Sequence, residues 1–482
     1  MKKQVIACLI FCLLPSLACA QRWKPFEESI PVFTSSVDSI EYALLAGAQT
    51  SLQVQYGNII AGGYNHQRDT LKRRQLELIS DSSEVLRKMM IPVRGRAARY
   101  KMIYHPRYIL WDTLKPADRH KVHYLSFENY PSRKLPRELL ECTQLERLDL
   151  TNCHFTRIRK LKKLAKLTQL EIYNNDSGGP LRLARNNTLL QLKIRSNNPE
   201  GLPTQYKKLR SLSMLDLSQT NSVRFPDVYK NRKLQSLKLI GNEITLADLR
   251  DRKQASIDMI DLTNNKISRV PGRLKNFTGL QSLSLSLNQI REVEQGFGDL
   301  TRLEILICYG NDMSGIPPEL FKLPAVRSLD LSYNHLQRID AGITTMRSLV
   351  DLYATHNEIV SLPDSLGRLK NLHGLYVNSN RLSALPESLG QLKGLKELRI
   401  NGNFFSELPP VVLKLTQLTW LDVSRNELRS LPESIFMRTN MDLLSIYGNR
   451  WDEAMQQRLP AWIATLRSHK TSVTTSPPDA ED

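Results

Sequence analysis

The chain has 482 residues and a formal net charge of +19. After its leader, no stretch is apolar enough to cross a membrane. The basic excess raises nucleic acid as a partner, yet no nucleic-acid motif is present and no aromatics interleave with the basic runs, so nucleic acid is not expected.

The first residues, MKKQVIACLIFCLLPSLACA, place Lys2 and Lys3 before a short apolar run and end in Ala18-Cys19-Ala20. This pattern predicts a secretory signal peptide over residues 1–20, cut after Ala20, and an exported protein in the periplasm, on the cell surface or in the medium. The alternative is a lipid anchor on Cys19, against which Ser16 stands where a lipobox wants Leu. Loss of Lys2 and Lys3 lowers the charge from +19 to +17, and Cys8, Cys12 and Cys19 leave with them. Cys142, Cys153 and Cys308 remain and sit at core positions of the pattern described below, as small hydrophobes. A Cys142–Cys153 disulfide is the alternative in an oxidising compartment.

Residues 21–118 form an N-terminal, mostly helical capping region. Ser36 and Asp38 can cap a helix through Ile40, Leu44 and Leu45, a second helix runs through Leu71, Leu76 and Ile79, and a third begins at Ser82. Arg99 to Leu114 is richer in aromatic and β-branched residues and reads as strand.

Residues 119–449 repeat. LHGLYVNSNRLSALP from Leu372 to Pro386 returns as LKELRINGNFFSELP from Leu395 and as LTWLDVSRNELRSLP from Leu418. The shared skeleton is LxxLxLxxNxLxxLP. Its Asn position falls at Tyr130, Cys153, Asn175, Asn197, Thr220 and Asn242, and then at Asn265, Asn288, Asn311, Asn334, Asn357, Asn380, Asn403, Asn426 and Asn449. Successive spacings are 22 or 23, which makes about fifteen repeats. The alternating Leu residues predict a short strand buried on one face. One such strand cannot bury its apolar side alone, so stacked copies must share a core. The Asn amide is placed to satisfy backbone groups at the turn, and the following Pro suits a short helix or 3-10 return segment.

Residues 450–470 carry Trp451, Met455, Leu459, Trp462, Ile463 and Leu466 at helical spacing and predict a capping helix over the last repeat. Residues 471–482 are polar and read as a disordered tail.

The skeleton and its LPESLGQLKGL-type return segments resemble the leucine-rich repeat superfamily. Within it they are most similar to the type found in plant intracellular Ras-group proteins, LAP-like scaffolds and bacterial relatives. The resemblance implies an α/β solenoid, a horseshoe with a parallel sheet on the concave face and short helices or 3-10 turns on the convex face, with helical caps. It also implies protein binding on the concave face. Tyr130, Cys153 and Thr220 depart from the Asn pattern. No GxxxxGK[ST] loop and no added catalytic domain accompany the repeats.

The strand residues between buried Leu positions are expected to face concave solvent. There Ile307, Tyr309, Tyr333, Tyr353, Tyr376 and Trp420 gather in consecutive repeats, with Arg399 and Asp422 beside them. Aromatic anchors with a charged rim suit a protein ligand. Tyr353 and Tyr376 occupy equivalent places on neighbouring strands, so their rings should stack. Aromatics that merely favour pleated surfaces are the plain alternative. Basic residues instead crowd the return segments, from Thr156 to Lys166 and onward from Lys207 through Lys275, and offer a convex flank for anionic lipid or glycan.

No HExxH, GxSxG or phosphate loop is present, and His120 with His123 lacks the partners of a metal site. His335 and His356 lie on adjacent repeats as surface polar residues. The expectation is a binding protein without catalytic residues, cofactor or metal.

Overall fold

A computed structural model of the chain describes residues 27–32, 99–104, 109–175, 181–196 and 204–476. The leader, the three expected N-terminal helices and Asn197 lie outside the described residues. The chain divides into two compact units, one of Met1–Ser222 with Lys230–Asn242 and one of Val223–Tyr229 with Glu243–Asp482.

In the first unit, strands Ile109–Leu110, Tyr124–Glu128, Arg147–Thr151, Gln169–Tyr173, Gln191–Arg195, Met214–Asp216 and Ser236–Lys238 pair in parallel in that order. The described parts of the expected cap comprise short strands and the 3-10 helices Trp111–Thr113 and Pro116–Lys121. Glu27–Val32 pairs antiparallel with Arg99–Tyr104, and Ile109–Leu110 adds a strand to the edge of Tyr124–Glu128. The β-rich reading of Arg99 to Leu114 thus corresponds to two of these strands. Pairing satisfies the backbone groups that an open sheet edge would leave exposed.

In the second unit, parallel pairing runs from Met259–Asp261 through Ser282–Ser284, Ile305–Ile307, Ser328–Asp330, Asp351–Tyr353, Gly374–Tyr376, Glu397–Arg399, Trp420–Asp422 and Leu443–Ser445. Register is strict: Leu329, Leu352, Leu375, Leu398, Leu421 and Leu444 face one another strand by strand, and all are fully buried. The fold is a leucine-rich-repeat solenoid. Return segments are mostly 3-10 turns, such as Pro318–Lys322, Glu387–Gln391 and Pro410–Lys414. Pro318 and Pro410 open theirs, where an amide hydrogen would have no helical partner anyway.

The repeated Asn is a bracket between turns. The Asn288 side-chain nitrogen donates to Leu262 O and Leu285 O, both at 3.0 Å, and its oxygen accepts from Ile267 N at 3.0 Å. Asn311, Asn334, Asn380, Asn403 and Asn426 repeat the arrangement. Cys153 substitutes with its thiol, 3.6 Å from Phe127 O and 3.3 Å from Thr151 O, which are carbonyls of the kind an Asn would serve. Thr220 keeps a donation to Leu217 O at 2.9 Å and contacts Asn242 and Ser222.

The residue just before each bracket takes a left-handed backbone conformation. Gly310, Gly402 and Gly448 adopt it, but so do Leu287, Tyr333, His356 and Arg425, with φ between 50° and 55°. Left-handed φ costs a residue with a Cβ about 1 kcal/mol or more, so the stacked bonds on either side must hold it.

The C-terminal helix spans Glu453–Ser468, capped by the Asp452 carboxylate, which accepts from Met455 N at 2.7 Å. Trp462 packs on Phe436 with ring centroids 4.7 Å apart. The expected disordered tail needs correction at its start: Ser472–Thr474 is a strand, paired in parallel with Leu443–Ser445. Val473 and Thr474 are β-branched, but three residues in a polar tail make too short a signal, and the open edge of the last repeat supplies the pairing. Cys142, Cys153 and Cys308 are buried free thiols, so the Cys142–Cys153 bridge is not formed. No helix among the described residues is long and apolar enough to cross a membrane.

Candidate functional site

Two stacks of side chains lie on the sheet of the second unit. In the first, Tyr353 and Tyr376 are parallel at 4.3 Å between centroids and 6° between planes, as the equivalence of their positions predicts. The Arg399 guanidinium follows, 5.1 Å from the Tyr376 ring centre and 3.9 Å from that of Trp420. These four residues come from four adjacent strands: Tyr353, Tyr376 and Arg399 are in direct register, while Trp420 pairs with Glu397 and reaches Arg399 diagonally. The second stack joins Tyr309 to Tyr333 at 4.8 Å and Tyr333 to His356 at 4.2 Å.

The expectation that all these residues face open solvent needs correction. Ile307, Tyr309, Tyr353 and Tyr376 are buried, at 5 to 8% exposure. Parallel strands lie about 4.8 Å apart, so large side chains on successive strands cover one another's faces. Tyr333, Arg399, Trp420 and Asp422 are partly exposed, and His356 is exposed. His356 therefore joins the aromatic group rather than His335, whose Nδ1 lies 3.9 Å from Glu358.

Gly374 makes room for Tyr376. A Cβ there would lie 2.6 Å from the Tyr376 ring and from Asp351 Oδ1. The Tyr376 hydroxyl donates to Glu397 at 2.8 Å. Burial, and then the negative charges of Glu397 and Asp351, raise its pKa well above the ordinary phenol value, so the phenol stays neutral and a donor. Asp330, in register with Tyr353, is 2% exposed. Its Oδ1 accepts from Ser332 N at 2.8 Å, while Oδ2 has no hydrogen-bond partner among the described residues. Burial pushes its carboxyl up to about 6. Sequence reasoning missed Gly374 and His356 as parts of this site; the sole signal was their place in the repeat.

Part of the expected basic flank lies in the first unit, and Arg250 to Lys275 lie in the second. Strands Arg157–Ile158 and Arg182–Leu183 pair so that Arg157 faces Arg182. Both are exposed, as are Arg159, Lys162, Lys163, Lys166 and Arg185.

Among the described residues, no three His, Cys, Asp or Glu side chains converge to hold a metal ion. A shallow cleft of about 170 Å³ lies between Trp111, Phe127 and Tyr130, smaller than the several hundred Å³ usual for a substrate pocket.

The family model described as leucine rich repeat matches residues 301–359, within this same run of turns. No curated protein matches the chain in sequence. Among solved structures it is similar to a leucine-rich repeat protein of Leptospira interrogans, at 20% identity and a TM-score of 0.55, with 74% of this chain and 97% of that one covered. It is also similar to the ectodomain of the Arabidopsis thaliana membrane receptor kinase GASSHO1/SCHENGEN3, solved in complex with Casparian strip integrity factor 2. There the identity is 23% and the TM-score 0.50, over 77% of this chain and 44% of that one. A chain of the glycosylated Toll–Spatzle complex of Drosophila gives 20% and 0.62, over 78% and 56%. The present chain thus spans about half the length of the latter two. These likenesses show the leucine-rich-repeat fold.

Proposed function

We propose that this is an exported, non-catalytic protein that binds another protein through the sheet face carrying the two aromatic stacks. The observation that carries the proposal is the placing of Tyr333 and His356. Both occupy left-handed backbone positions, which the flanking turns fill with the small residues Gly310 and Ser379 and other turns with Leu287 or Arg425, and both direct rings into one stack. The fold gains little from bulky residues there, and backbone strain of this kind gathers at functional positions. Two of the similar solved structures are complexes with a second protein, which supports the same use of the fold here. Export rests on the Lys2-Lys3 leader and the Ala18-Cys19-Ala20 site.

The test is crosslinked capture from envelope extract with the natural chain and with a Tyr353→Ala, Tyr376→Ala, Trp420→Ala variant. Capture should fall about tenfold while the far-ultraviolet circular dichroism is kept. Equal capture by a folded variant refutes the site. Amino-terminal sequencing of exported protein should begin at Gln21.

A second reading is favoured by the facing pair Arg157 and Arg182: docking on anionic lipid or glycan through the basic flank. Such binding to anionic vesicles should collapse between low salt and about 0.5 M, where exposed charges are screened over a few Å. Salt-insensitive or absent binding ends it.

A further inference from the structure

The first turn of the first unit departs from the repeat in a way that protein binding on the aromatic stacks does not use. Tyr130 stands where later turns carry the bracketing Asn. Its ring stacks on Phe155 at 6.0 Å and meets Phe127 edge-on at 5.1 Å. Phe127 in turn lies face to face with Trp111, at 5.0 Å between centroids and 19° between planes. Aromatic cover for the end of the core is the plain account of these rings. It leaves the cleft beside them, and the carboxylates on its rim, unexplained.

Strand lengths open that cleft. Ile109–Leu110 pairs only with Leu125 and Ser126, and the chain then turns away as the 3-10 segment Trp111–Thr113. Tyr124–Glu128 runs two residues further, paired on its other side with Arg147–Thr151. The gap is the cleft of about 170 Å³, with Trp111 and Asp112 on one side and Phe127, Glu128 and Tyr130 on the other. A cavity of about 150 Å³ takes a molecule the size of benzene, so there is room for one small ligand.

The lining sets the charge of that ligand. Asp112 and Glu128 are exposed, and neither has a hydrogen-bond or ion-pair partner among the described residues. Arg119 lies over the Trp111 ring at 5.3 Å, but its charge is matched by Glu141 at 2.9 Å. Burial, then the negative charges of Asp112 and Glu138, raise the Tyr130 phenol above its ordinary value, so it stays neutral. Tyr130 has a described stacking partner on one face only, Phe155. A carboxylate on an open surface holds a cation weakly; beside aromatic rings in a cleft the same cation also gains from the ring quadrupoles.

We propose that this cleft is a binding site for a small alkylammonium ion, its hydrocarbon groups against Tyr130 and Phe127 and its charge between the Asp112 and Glu128 carboxylates. The site is independent of the protein-binding reading and uses none of its residues. It selects by charge and by size: a neutral molecule of the same shape leaves the carboxylates unmatched, and an anion is repelled.

The experiment uses the full chain with 5-fluorotryptophan at its five tryptophans, read by fluorine NMR, with the Trp111 resonance assigned from Trp111→Phe. The probes are tetramethylammonium, n-butylammonium and the neutral tert-butanol, each against sodium chloride at equal ionic strength. At least one ammonium ion should shift the Trp111 resonance saturably, whereas tert-butanol and sodium chloride should not. The stronger ammonium probe tells whether methyl groups or ammonium hydrogens are read. The variant Asp112→Asn, Glu128→Gln should weaken binding about tenfold with an unchanged melting profile, because both carboxylates are exposed. Tyr130→Asn, which restores the residue of the repeat, should weaken it comparably. Were the double variant less stable, Asp112→Asn and Glu128→Gln singly carry the same test. Absence of a saturable shift with both ammonium ions, an equal shift with tert-butanol, or equal affinity in the charge variants overturns the proposal and leaves these rings as a cap.

Discussion

Replacing Asn334 by Ala probes the bracket that joins successive turns. Its side-chain nitrogen donates to Cys308 O and Leu331 O, both at 3.0 Å, and to Ser332 O at 3.2 Å, while its oxygen accepts from Met313 N at 3.1 Å. Cys308 and Met313 belong to the preceding turn, and both are at most 2% exposed. The substitution strands the Met313 amide where water cannot replace the lost partner, while Cys308 O and Leu331 O keep donations from Asn311 and Asn357. The stranded amide should cost about 1–3 kcal/mol, an appreciable part of a typical domain's stability. Asn334→Asp is the informative companion. It keeps an acceptor for Met313 N but turns a carboxylate towards carbonyl oxygens, and should cost at least as much as Ala. Asn334→Thr should cost less, because Thr220 shows a hydroxyl keeping the bond within its own turn. Guanidinium unfolding gives the stability change. Amide hydrogen exchange at Met313 gives its location, since repeat arrays couple mainly to nearest neighbours. A loss below about 1 kcal/mol for Asn334→Ala, or unchanged protection of the Met313 amide, would refute the bracket's energetic role.

Gly374→Ala should displace the Tyr376 ring, because the new methyl would sit 2.6 Å from it and from Asp351 Oδ1. The expected cost is about 1–3 kcal/mol with a weakened near-ultraviolet tyrosine signal, and an unaltered signal contradicts the packing described. Asp330 makes stability depend on pH: burial raises its carboxyl from 3.8 to about 6, so the folded state holds a proton that the unfolded chain has released. Its stabilising contribution is complete below about pH 4 and is lost as pH rises through about 6, a change of about 3 kcal/mol. Asp330→Asn should flatten that part of the profile, and an unchanged slope would show that Asp330 does not cause it. Burial also raises all three thiols, Cys142 to about 11. A disulfide reagent at mildly alkaline pH should therefore spare Cys142, Cys153 and Cys308 until the protein is unfolded, and rapid labelling of any of them in folded protein contradicts their burial.

Much of the architecture was legible in residues 119–449 because each turn repeats one local instruction. Leu352 and Leu375 read as buried from their alternation alone, and Asn334 reads as a turn residue from its spacing. The helix Glu453–Ser468 was equally legible from its apolar spacing. Ser472–Thr474 was not, since nothing in a polar tail announces that a neighbouring edge will recruit it. The site was legible in part. Equivalent places in the repeat were enough to predict the Tyr353–Tyr376 stack. They did not show that both rings are covered, that Gly374 clears the space for one of them, or that His356 stacks on Tyr333.

By itself the amino-acid order determined the strand period, the core-facing leucines and the Asn brackets, because these depend on residues within one turn and its copy about twenty-three residues on. Only the tertiary structure decided which large side chains shield one another and which residues accept a left-handed backbone. Those outcomes depend on contacts across the narrow strand spacing, where the identity of the residue on the next turn matters as much as that of the residue itself. Tyr333 and His356 hold their backbone conformation because the hydrogen bonds of adjacent turns impose it, not because tyrosine or histidine favours it.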